Sequence, residues 1–105
     1  MFESDTIAAI STPYAAGGIG IVRVSGSEAK TIVSKMFRPV GERNLFNVKG
    51  FNAIYGRVFD IEGDIDDVVV TVYNTPKSYT GEDIVEISCH GGLYITKRVL
   101  RACLD

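Results

Sequence analysis

The chain has 105 residues and a mass of 11.4 kDa, enough for one hydrophobic core and too little for two, so residues 1–105 form one domain. Apolar residues make up 46% and charged ones 23%, with three prolines, which excludes a disordered chain. Eleven Lys and Arg against thirteen Asp and Glu give a net charge of -2, the wrong sign for a domain that grips a phosphate backbone by charge alone.

Thr6 to Ile10 reads as a short apolar strand, followed by a Ser-Thr-Pro turn and a loop at Ala15-Ala16-Gly17-Gly18. Ile19 to Val24 is rich in β-branched residues and alternates, which puts Ile19, Ile21 and Arg23 on one face and Gly20, Val22 and Val24 on the other. Ser25 and Glu28 have the spacing of a capping box, and Ala29, Ile32, Val33, Met36 and Phe37 recur at helical spacing until Pro39 and Gly41 end the pattern. Residues 42–52 show no period and read as an irregular connection. Ala53 to Phe59 and Val68 to Tyr73 predict two strands, with Gly63 suited to a hairpin turn between them. Five carboxylates from Asp60 to Asp67 invite a calcium reading, but the EF-hand spacing and its closing Glu are missing, so the segment reads as a solvated hairpin tip.

Asn74 to Asp83 is a polar loop, and Ile84 to Cys89 alternates again as a strand. Gly91-Gly92 turns the chain into a second helix, Leu93 to Leu104, with Lys97, Arg98 and Arg101 on its wet side. Its apolar pattern still runs at Asp105 with no capping Gly or Asn, which reads as a cut inside a longer protein. The order β, β, α, β, β, β, α predicts an α+β or mixed α/β fold, a small sheet with two helices on one face.

The N-terminus carries acids where a signal peptide carries positive charge, and the apolar runs are of strand length, so a cytoplasmic location without membrane contact is expected. Cys89 and Cys103 match no metal or CxxC spacing and read as reduced, partly buried thiols, and a lone His90 cannot complete a zinc site. The glycines at Gly18-Ile19-Gly20 run into a strand and meet Arg23 where a dinucleotide fingerprint needs its third Gly. No Gly-Lys pair exists, so the chain has no P-loop.

Three groups remain as candidates. Glu86 and His90 share one face of a strand, but four extended residues separate their Cα atoms by roughly 13 Å, too far for a direct hydrogen bond. His90 then reads either as a brace for the turn into the helix or as half of an acid–base pair. Arg23, amid Ile21, Val22 and Val24, needs a bidentate acceptor, and Glu86 could either pair with it or accept the N–H and NH2 edge of a pterin or guanine. Spacing leaves both readings open. In the polar loop, Tyr79 either stacks on a flat ring or lids core apolar surface.

The motifs in order are Asp5-Thr6-Ile7, Thr12-Pro13, Gly17 to Gly26, Pro76 to Asp83, Val85-Glu86-Ile87 and Cys89-His90-Gly91-Gly92. Together they resemble the N-terminal domain of the MnmE (TrmE) family of bacterial tRNA modification GTPases. The resemblance implies a fold similar to the tetrahydrofolate-binding domain of the glycine-cleavage T-protein group, a constitutive homodimer, and a 5-formyltetrahydrofolate or related tetrahydrofolate bound at the dimer interface. The family's pterin-contacting Arg and Glu fall on Arg23 and Glu86, with Tyr79 in the adjoining loop. A further family Lys lies beyond Asp105. The resemblance also implies a potassium- and magnesium-dependent GTP-binding domain outside this chain and work with the flavoprotein MnmG. Together they would add a carboxymethylaminomethyl or aminomethyl group at C5 of the wobble uridine in tRNA. The 105 residues themselves carry no expected catalytic or metal-binding residue. Ala15-Ala16 departs from the charged or bulkier residue common in that loop. Besides a folate-binding module, a dimerisation scaffold without useful folate affinity and a free-standing enzyme using Glu86 and His90 stay open. Mean hydropathy of +0.14 favours the first two, since surplus apolar surface ends up in interfaces.

Overall fold

The computed structural model describes residues 6–11, 18–41, 43–46, 52–73, 83–90 and 92–105. Within them the elements are β1 (Ile7–Ile10), β2 (Gly20–Ser25), α1 (Ala29–Ser34), β3 (Phe37–Pro39), β4 (Asn52–Asp60), β5 (Gly63–Tyr73), β6 (Ile84–Cys89) and α2 (Gly92–Leu104). The strands form one six-stranded sheet in the order β1-β2-β6-β5-β4-β3, every neighbouring pair antiparallel. The α+β class read from the sequence is therefore the observed one.

Strand alternation builds the core. Val22 and Val24 of β2, Val68, Val70 and Val72 of β5, and Val85, Ile87 and Cys89 of β6 are buried with Val33 of α1 and Val99 of α2 in one cluster. Each fully buried aliphatic side chain contributes roughly 1.5–3 kcal/mol over its exposed state, and this layer holds both helices on one face of the sheet.

The first helix is shorter than its apolar spacing predicts. It stops at Ser34, and Phe37–Pro39 is a sixth strand, paired antiparallel with β4 through Phe37–Val58 and Pro39–Gly56. Pro39 cannot continue a helix, and Phe37 gains more by lying across Gly56, where a Cβ would come within 2.5 Å of its ring. The capping box does not form either: Glu28 is the N-cap without a side-chain cap bond, and its backbone N–H donates to Thr6 Oγ1 at 3.0 Å. Gly26, at φ 136°, lies against Thr6 where any Cβ would collide.

The acidic segment is a solvated hairpin tip, with Ile61 to Asp64 exposed, and it is also an ordered charged ladder. The turn between β4 and β5 is only Ile61-Glu62, closed by Gly63 at φ 122° and by the Glu62 N–H donating to Asp60 Oδ1 at 2.9 Å. Beyond it the carboxylates are rungs of the ladder. Arg57 lies directly across from Asp67, with Nε–Oδ1 at 2.6 Å, and Asp64 sits between Arg38 (2.7 Å) and Arg57 (3.1 Å). Cross-strand charge complementarity extends β5 to Gly63, where alternation of apolar residues gives no signal. Arg98, read as a wet-side residue, instead binds Asp60 through Nε and Nη2, both at 2.8 Å, and ties α2 to β4. That bidentate bond holds the Asp60 carboxyl down at about 2.

Cys89 and Cys103 are free and buried. Cys103 Sγ of α2 lies 3.4 Å from Met36 Sδ, and burial pushes its thiol up to about 12.

Candidate functional site

The second face of the sheet carries neither helix, and its side chains are set by register. One row across it runs Ala53, Thr71, Glu86, Arg23 and Ala9, and the next runs Tyr55, Val69, Ser88 and Ile21. Part of this surface is apolar, with Ile7, Ile19, Tyr55 and Val69 exposed, and the Arg57–Asp67 rung follows the Tyr55–Val69 one on the same face. The charge at its centre is one pair.

Arg23 and Glu86 are direct cross-strand partners in β2 and β6. Arg23 donates to the same carboxylate oxygen, Oε2, from Nε at 2.8 Å and from Nη2 at 2.5 Å. The other oxygen, Oε1, accepts the phenol O–H of Tyr73 at 3.3 Å. Tyr73 stands on β5 one inward-outward repeat beyond Thr71, the residue directly across from Glu86, so it reaches the carboxylate on the diagonal. Burial, and then the negative charge of Glu86, push the Tyr73 phenol upward. The pair is asymmetric: the Glu86 side chain is 14% exposed and that of Arg23 is 48% exposed. Glu86 is thus seated in the sheet while the guanidinium lies out on its surface.

His90 does not join this group. β6 ends at Cys89, so the strand alternation that would aim His90 along with Glu86 no longer applies. Its Nδ1 lies 3.0 Å from Asp66 Oδ2, and its backbone N–H donates to the same oxygen at 2.9 Å. His90 braces the β6–α2 turn against β5, and the acid–base pairing with Glu86 is not formed. A shallow pocket of about 300 Å³ beside it is lined by Ile19, Tyr55, Val69 and Ser88 of the open face. The groove between the helices, with Ile32, Met36 and Ala102 in its walls, lies on the opposite side of the sheet from Arg23. Tyr79 lies outside the described residues.

Tyr73 is the residue that sequence reading missed, because its contact depends on the β5–β6 register. The open face did leave a trace: Ile21 and Val69 are apolar where a one-sided strand carries polar residues, the mark of a sheet with two faces to cover. Among the described residues no group of His, Cys, Asp and Glu is arranged to hold a metal ion, and no helix is long and apolar enough to cross a membrane.

Residues 6–105 match the sequence model of the family described as the N-terminus of the GTP-binding protein TrmE. The chain belongs to this family. Among relatives of this TrmE N-terminal domain, the tRNA modification GTPase MnmE of Carboxydothermus hydrogenoformans is 52% identical over 102 residues, covering 95% of the chain. The proteins of the same name from Levilactobacillus brevis and Clostridioides difficile are 49% and 41% identical over 105 residues each. The chain spans 22–23% of the length of these three relatives. In this TrmE N-terminal domain Arg23 and Glu86 lie on the face of the sheet opposite the two helices.

Proposed function

We propose that this chain is the folate-binding and homodimerising module of a tRNA-modifying GTPase. The single observation that carries the reading is a seated carboxylate and a surface guanidinium side by side on the sheet face opposite the two helices, beside the exposed Ile7, Ile19, Tyr55 and Val69. A pterin ring presents two N–H donors on one edge and a carbonyl acceptor beside them. A carboxylate accepts from that edge and a guanidinium donates to the carbonyl, while Ile21, Val69 and Tyr55 in the neighbouring row offer apolar area for the flat faces. Glu86 and Arg23 fit a formyl-tetrahydrofolate by holding its ring, and the resemblance adds Tyr79 as a third contact. The bound folate supplies a one-carbon unit; these side chains orient it.

In the same reading a second copy covers the apolar part of the open face. GTP hydrolysis, with its potassium and magnesium, belongs to a domain outside these residues. MnmG and tRNA engage the intact protein in the cytoplasm, where C5 of the wobble uridine receives its carboxymethylaminomethyl or aminomethyl group. Support comes from family membership and from the names of relatives that the chain covers only in part.

One observation favours a second reading, a dimerisation scaffold without useful folate affinity: Arg23 and Glu86 already satisfy each other. Calorimetric titration of the intact protein with 5-formyltetrahydrofolate separates the two. Saturable binding, weakened at least tenfold by Glu86→Ala and by Arg23→Ala, is expected, since each variant removes a charge-assisted bond of about 1.5–3 kcal/mol. A folded dimer that gives no binding heat establishes the scaffold.

A further inference from the structure

The Arg23–Glu86 pair and the Tyr73 phenol together assign the moving and the fixed parts of the site. Both Arg23 donors go to Oε2, so that oxygen has its two acceptor positions filled, while Oε1 has one filled by Tyr73. A ligand edge with two parallel N–H donors needs one position on each oxygen. Oε1 can supply its second without change; Oε2 can supply one only when a guanidinium nitrogen leaves it.

Which side chain yields follows from their settings. Arg23 is half exposed at the end of a flexible stem, and water takes up any N–H it releases. Glu86 is largely covered, and a turn of its carboxylate would break the hydrogen bond that Oε1 accepts from the Tyr73 phenol.

We propose that Tyr73 is a positioning residue that pins Oε1 of Glu86, so that a ligand carrying an amidine-type edge, N–H beside NH2, opens the pair by displacing Arg23 rather than by turning Glu86. The inference rests on the folate reading and deepens it, since it names the ligand feature that the pair selects. Released from Oε2, the guanidinium keeps its charge and turns its donors to an acceptor on the same ligand. Tyr73 touches no ligand in this arrangement; it acts through Glu86.

The test is a binding cycle on the intact protein with two probes, 5-formyltetrahydrofolate and its 2-desamino analogue, which lacks the NH2 donor. In the wild type the amino form binds more tightly. Tyr73→Phe removes only the hydroxyl, and it is expected to weaken the amino form about five- to tenfold while changing the desamino form less than about twofold, the scale of one hydrogen bond to a charged group lost indirectly. In a Glu86→Ala background, which removes the acceptor, the same substitution is expected to have no further effect on either probe.

A purely structural role for Tyr73 would weaken both probes alike and would persist in the Glu86→Ala background, and either result overturns the proposal. Equal binding of the amino form by wild type and Tyr73→Phe overturns it while leaving the folate reading intact. A wild type that binds neither probe overturns both. Unfolding curves of each variant identify any that fails to fold, in which case Tyr73→Leu and Tyr73→Met, which also lack the hydroxyl, carry the same comparison.

Discussion

At the residue scale the chain separates groups held in the protein from groups that meet water. Cys103 is the clearest case of the first. Burial, with the neighbouring Cys89 thiol second, raises it from 9.0 to about 12, so the folded chain keeps a proton that the unfolded chain gives up. Below about pH 9 the thiol is protonated in both states and pH is without effect on its contribution; between 9 and 12 the unfolded state binds fewer protons and stability falls. Cys103→Ala is expected to flatten the alkaline decline of stability relative to the wild type, read by denaturant unfolding at several pH values. Arg23 and Glu86 were legible as a pair because a charge in mid-strand is costly without a partner. Tyr73 was not, since nothing within β5 marks which residue of β6 it reaches.

At the element scale the same distinction is between what a segment prefers and what its neighbour permits. The spacing of Ala29, Ile32, Val33, Met36 and Phe37 is as helical as any in the chain, yet its last two members are claimed by β4. Phe59 donates its N–H to the Met36 carbonyl at 3.0 Å, and Phe37 crosses Gly56. The charged half of β5 is likewise extended because Arg57 stands opposite Asp67. Contact between β2 and α2 turns on Gly20, whose missing side chain leaves the space that Thr96 occupies; Thr96 Oγ1 in turn donates to the Gly92 carbonyl at 2.9 Å. Gly20→Ala is expected to push α2 off the sheet and cost about 1–3 kcal/mol, measured as a lower denaturation midpoint at an unchanged slope.

At the scale of the whole molecule the decisive asymmetry is that both helices cover one face of the sheet. The other presents Ile7, Ile19, Tyr55 and Val69 to solvent between the Arg23–Glu86 pair and the Arg57–Asp67 rung. If a second copy covers it, Val69→Lys buries an unpaired ammonium at that contact while leaving the core untouched. The dimer is then expected to dissociate at least tenfold more readily, by sedimentation over a dilution series, with the unfolding midpoint of the monomer unchanged. A dimer indifferent to Val69→Lys would place the contact elsewhere on the molecule.

By itself the sequence determined the α+β class, five of the six strands, the second helix, the division of β2 into two faces and the motif order that marks the family, because each follows from alternation, helical period or local turn chemistry along the chain. Only the tertiary structure decided that Phe37–Pro39 is a strand, that the acidic segment is a charged ladder, that His90 is bound to Asp66, and that Tyr73 reaches Glu86. Each of these is a contact between segments distant in sequence. Its energy comes from register, cross-strand charge or close packing, none of which a single segment carries.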